Sequence, residues 1–77
     1  MNKQRRATID KINSLFTDAL EMLQEVIEEE QEAFDNLPEG IQESERGEKI
    51  QEYLEVLNDA YDYIEEQNEN LYEIANE

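Results

Sequence analysis

The sequence predicts an all-α fold: an antiparallel hairpin of two long helices, coiled-coil-like, dimerising into a four-helix bundle. Three observations point there. Two long stretches carry apolar residues at alternating three- and four-residue steps, the helical period rather than the period of two a strand needs. The only proline and both glycines fall at positions 38, 40 and 47, between those stretches. Charge is placed so that only a fold-back compensates it.

The first stretch reads Ile9, Ile12, Phe16, Ala19, Leu23, Val26, Ala33 and Leu37, with Glu30 interrupting the series at a core position. Leu15, Leu20, Met22, Ile27 and Phe34 widen it. A helix over about residues 4–36 follows. The connection, about 37–44, is NLPEGIQES, in which Pro38 cannot continue a helix and Gly40 permits an unusual backbone angle. The second stretch reads Ile50, Leu54, Leu57, Tyr61, Ile64, Asn68, Leu71 and Ala75, flanked by Tyr53, Ala60 and Ile74. It predicts a helix over about 45–75, with Ser44 as its N-cap and Glu45 and Glu48 in a favourable first turn.

A short connection makes the two helices antiparallel neighbours in one domain, residues 1–77. Lys3, Arg5, Arg6 and Lys11 crowd the start of the first helix; Glu65, Glu66, Glu69, Glu73 and Glu77 crowd the end of the second. Each cluster sits at the wrong pole of its own helix dipole, and a hairpin lays the two side by side. The apolar stripes are wider than a two-helix seam needs. Val56 and Tyr63, one heptad apart on a face the seam does not use, mark an apolar interface, most simply with a second copy. A chain this short also gains from oligomerisation, since a lone core of this size supplies only ~3–5 kcal/mol.

Composition limits the chemistry. The chain has no Cys and no His, which removes disulfides, thiolate metal sites and the commonest general base. Carboxylates cluster at Glu28, Glu29, Glu30 and Glu32 and at Asp59 and Asp62, but bundle di-metal sites need Glu-x-x-His pairs and calcium loops need an invariant glycine. No catalytic residue, metal or cofactor is expected. Glu30 either tilts out to water or reaches Arg46, Lys49 or the hydroxyl of Tyr53; Asn68 interrupts the second stripe near the height of Asn13. Both read as features that fix register. The four tyrosines read as core, with Tyr63 fitting that role worst.

The net charge is −16, from 22 acidic and 6 basic residues. Such a surface repels nucleic acid and anionic membrane and suits a basic partner. No segment approaches the ~18 apolar residues of a membrane span. The basic start MNKQRRATID is not followed by an apolar run, so a cytoplasmic protein without a secretory signal is expected. Residues 12–77 hold 21 acids and 2 bases, net −19. On a hairpin about 48 Å long, a density compatible with imitation of a phosphate backbone results. The acids expected to meet a partner are Asp18, Glu21, Glu25, Glu28, Glu29, Glu32, Glu52, Glu55, Asp59 and Asp62.

The segment EEEQEAFDNLPEGIQESERGEKIQEYLEVLNDAYDYIEE resembles a group of small acidic proteins of bacteriophages and prophages. They share an EQEAFDNLPE…QxSERGE centre, matched here by Glu30–Phe34, Asn36–Glu39, Gln42 and Ser44–Glu48. The likeness covers about two-thirds of the chain, from Glu28 onward. It implies a phage origin and action in the bacterial cytoplasm, and brings no activity to carry over. Small acidic phage proteins often block host enzymes. The functional expectation is therefore a non-enzymatic phage-encoded binding protein that docks on and inhibits a host protein, plausibly a nucleic-acid-handling defence component. The alternative is an assembly coiled-coil scaffold with no inhibitory role.

Overall fold

Asn2 starts the first helix. Its backbone is extended, and its side-chain oxygen accepts from the Arg5 N–H at 2.8 Å, satisfying one of the amides that a helix start leaves without a partner. In the computed structural model, which describes all residues from Met1 to Glu77, α1 runs Lys3–Asp35. It stops where Leu37 precedes Pro38, because a residue before proline is pushed out of the helical region.

The connection is more regular than the sequence suggests. Glu39–Gln42 form a single turn, α2. The Pro38 carbonyl accepts from Ile41 at 2.8 Å and Gln42 at 3.0 Å, so a residue that cannot donate begins the turn as an acceptor. Gln42 then reaches back: its Nε2 donates to the carbonyls of Phe34 at 3.1 Å and Leu37 at 3.2 Å, adding to the Leu37 N–H bond that Phe34 already accepts and tying the turn to the end of α1. The expectation for Gly40 is corrected. No glycine has a positive φ, and a Cβ at position 40 would meet nothing within 4 Å. Position 40 lies in ordinary helical backbone and does not require glycine.

Helix α3 runs Glu45–Ala75, within the expected bounds. Ser44 does occupy the N-cap, but its hydroxyl makes no cap bond; it donates to the Ile41 carbonyl and ties α2 to α3. Glu45 and Glu48 fill the first turn. The position that needs a glycine is 47. A side chain there would lie 2.7 Å from the Gln42 Cα and closer still to its carbonyl, so the absence of a Cβ lets the turn fold tightly onto α3.

Helices α1 and α3 lie against each other along their lengths in a particle 58 × 15 × 12 Å. The seam on α3 is the expected one, Ile50, Leu54, Leu57, Tyr61, Ile64, Asn68, Leu71 and Ala75, extended by one further position, the buried Gly47. On α1 the burial pattern follows Ile9, Asn13, Phe16, Leu20, Leu23, Ile27, Glu30, Phe34 and Leu37, which again alternates three and four. The sequence reading took Ala19, Val26 and Ala33 as core in place of Leu20, Ile27 and Phe34. The structure turns Ala19, Val26 and Ala33 outward, and the larger side chains take the seam because they bury more area per position. Asn13 fixes the register: its Nδ2 donates to the Asn68 backbone oxygen at 2.8 Å and to the Asn68 Oδ1 at 2.7 Å. Only Leu20, Gly47, Leu54 and Ala75 are buried, and no side chain is fully enclosed. A single hairpin thus leaves its core half made.

Candidate functional site

In each long helix, the residue one position before a seam residue lies about 100° round the helix. The helices run in opposite directions, so that rotation carries both sets to the same broad side of the hairpin. On the α1 arm of the hairpin the set is Thr8, Ile12, Leu15, Ala19, Met22, Val26, Glu29, Ala33 and Asn36; on α3 it is Arg46, Lys49, Tyr53, Val56, Ala60, Tyr63, Gln67, Asn70 and Ile74. Seven of the ten large exposed apolar side chains of the molecule are here. Leu15, Met22, Val56 and Tyr63 are each about two-thirds exposed. Two shallow apolar grooves cross this side, one lined by Ala19, Met22, Leu23, Val26 and Ile64, the other by Tyr53, Val56 and Leu57 beside Glu30.

The residues one position after the seam form the opposite broad side. Ser14, Thr17, Glu21, Gln24, Glu28, Gln31 and Asp35 stand on α1; Glu48, Gln51, Glu55, Asn58, Asp62, Glu65, Glu69 and Tyr72 stand on α3. Tyr72 is the only apolar member, 59% exposed above a cleft it shares with Thr17 and Glu69. Gln24 donates to Glu28 at 3.2 Å and Gln31 to Asp35 at 3.0 Å, pairs one turn apart that hold the carboxylates in place along α1. The hairpin is amphipathic, with one broad side apolar along its middle and charged at its loop end by Glu29, Arg46 and Lys49, and the other side acidic.

The ten acids singled out from sequence are all exposed, but they do not share one face. Glu21, Glu28, Glu55 and Asp62 stand on the acidic broad side. Asp18, Glu25 and Glu32 line the outer edge of α1, and Glu52 and Asp59 the outer edge of α3, on the far side of the hairpin. Glu29 lies at the loop end of the apolar side. Val56 and Tyr63 are where the sequence put them, on a face the seam does not use.

Three other expectations meet different outcomes. Glu30 sits at its seam position half-buried beside Tyr53, yet makes no hydrogen bond or ion pair with Tyr53, Arg46 or Lys49. Of the alternatives, the structure leaves the one open to solvent: Glu30 borders an open groove and has no protein partner. The basic start of α1 and the acidic end of α3 share one end of the hairpin, but no ion pair joins them within 4 Å. The single such pair in the molecule is Lys49–Glu52 at 3.8 Å, within α3. Strong hydration of exposed charges explains that, as direct surface pairs gain little. Of the tyrosines, only Tyr61 is on the seam; Tyr53 and Tyr72 are exposed along with Tyr63.

No group of three or more acidic side chains is gathered closely enough to hold a metal ion, and no helix is long and apolar enough to cross a membrane. Compared with known proteins, the chain matches no family model, no curated protein and no solved structure. What sequence reasoning missed is that the surplus apolar residues of both helices converge on one side. The signal was present: each helix carries two three-four series offset by one residue, and antiparallel pairing maps both offsets to one face.

Proposed function

We propose that this is a phage-encoded binding protein, not a catalyst, which acts in the bacterial cytoplasm as a dimer of hairpins. Two copies bury their apolar broad sides against each other as a four-helix bundle, and the acidic sides left outside dock on a basic host protein and block it. A nucleic-acid-handling defence component has the surface such a bundle would fit.

The observation that carries this reading is the division of the hairpin into one apolar and one acidic broad side. A broad side of 58 by 15 Å projects to roughly 900 Å², against the ~800 Å² per partner of a standard interface. Stacking two hairpins over the same 58 Å doubles the net charge of −16 to −32, about one charge per 1.8 Å of length. Duplex DNA carries one per ~1.7 Å. A surface shaped to take a phosphate backbone would meet a comparable field here.

The test starts with capture of the partner from bacterial lysate. Binding is then measured at about 50 and 300 mM salt for the native chain, for Glu21→Gln/Glu28→Gln/Glu55→Gln, and for Tyr63→Ala. The acidic reading expects weaker binding by the triple variant and a like loss for the native chain on raising salt, because screening acts over ~10 Å at 0.1 M. Salt-independent binding abolished by Tyr63→Ala alone would contradict it. That result would favour the second reading, an assembly scaffold that seats its partner on the apolar side, which the exposed Val56 and Tyr63 support.

A further inference from the structure

Charge is not spread evenly along the hairpin. The register fixed by Asn13 and Asn68 divides it into thirds at equal heights on both helices. The third at the open end, residues 1–12 and 69–77, holds four basic and four acidic residues and is formally neutral. The third at the loop end, residues 29–52, holds nine acidic and two basic residues, net −7. One of those two bases, Lys49, is already engaged by Glu52 on its own helix.

We infer that the second copy lies on the apolar side with its loop at the opposite end, related by a two-fold axis perpendicular to the long axis. This rests on the dimer reading above and adds its orientation. In the alternative, with both loops at one end, two regions of net −7 would crowd one end of the bundle, with Glu29, Arg46 and Lys49 between the copies and most of the carboxylates on the outer sides of helices packed about 8–10 Å apart. The opposed arrangement sets each −7 region against a neutral one. The apolar side permits it. Met22 and Ala60 stand near mid-length in the register, and the large exposed side chains Leu15, Val26, Val56 and Tyr63 lie within a few turns to either side. Reversing one copy about that middle therefore still lays apolar on apolar. In this dimer the lone basic cluster of each copy, Lys3 to Lys11, lies beside the acidic loop of the other. Both ends of the bundle then present the same mixture of charge.

The orientation is read by a single distance. Position 40 is at the loop end, accepts a side chain without obstruction, and is unique once made Cys because the chain has no other. Gly40→Cys, spin-labelled in the full chain, is measured by pulsed dipolar spectroscopy alongside the mass in solution. The expected result is a dimer mass and a label separation near the hairpin's 58 Å length. A dimer mass with a separation of about 20 Å, the breadth of a bundle, would overturn the orientation and leave the dimer standing. A monomer mass with no dipolar coupling between chains would overturn both.

Discussion

The side chain of Asn13 donates at once to the backbone and side-chain oxygens of Asn68, at 2.8 and 2.7 Å, joining the two long helices across 55 residues of sequence. The arrangement is costly on one side: the Asn13 Oδ1 is buried with no partner. A polar pair in a mainly apolar seam specifies alignment more than it adds stability. Changing Asn13 to Leu alone strands the Asn68 Oδ1 and should cost about 1–3 kcal/mol. Adding Asn68→Leu should recover most of that loss while weakening alignment. Thermal unfolding of both variants measures the first effect. A doubling or broadening of amide resonances in the double variant measures the second. A single sharp spectrum from the double variant would show that the pair does not set register.

The two glycines should respond oppositely to alanine. At Gly47 a methyl group collides with the Gln42 backbone, and a shift of the turn should cost about 1–3 kcal/mol. At Gly40, in helical backbone with open space around it, alanine should be neutral or stabilise by up to ~1 kcal/mol. Urea midpoints of the two variants decide this, and equal destabilisation by both would mean the turn is built differently.

Helix-forming residues in place of 37–43 should remove the Pro38 stop and the Gln42 bonds to Phe34 and Leu37. A continuous helix of about 115 Å is then expected, with a different oligomer. The native hairpin has a Cα radius of gyration of 17.3 Å. Small-angle scattering should show a marked increase; an unchanged compact particle would place the cause of the fold-back in the seam instead of the turn.

Replacing Lys3, Arg5, Arg6 and Lys11 by Gln should lower the melting temperature modestly at low salt and hardly at all at high salt. No direct ion pair holds this cluster, so its effect is the long-range field of the acidic end of α3, with exposed pairs worth at most ~0–1 kcal/mol each. A melting temperature indifferent to these changes at low ionic strength would show that the field plays no part in pairing.

The helices, their ends within a residue or two, and the α3 seam were legible in the sequence; the phase of α1 was not. The reason is particular. On α3 the second series is broken by polar Gln67 and Asn70, so Ile50 to Ala75 stands out as the seam. On α1 both series are mostly apolar over Ile9 to Phe34, one broken by Asn13 and Glu30 and the other by Glu29, and apolar period alone cannot say which one faces α3. Side-chain size was the available clue, since Leu20, Ile27 and Phe34 outweigh Ala19, Val26 and Ala33. The one-turn α2 escaped notice because a four-residue helix has no period to read. Gly47 was hidden because its importance lies in a neighbour, Gln42, that only the folded turn brings near. The acids were legible as exposed, but their division among a broad side and two edges follows from the corrected phase.

The central claim is that the apolar broad side is covered by a second copy. Sedimentation equilibrium at micromolar concentration tests it most directly, on the native chain and on Val56→Lys/Tyr63→Ser, whose changes lie on that side and off the seam. The account predicts twice the 9.1 kDa chain mass for the native protein and a shift toward monomer for the variant. A native mass of 9.1 kDa with full helicity would contradict it.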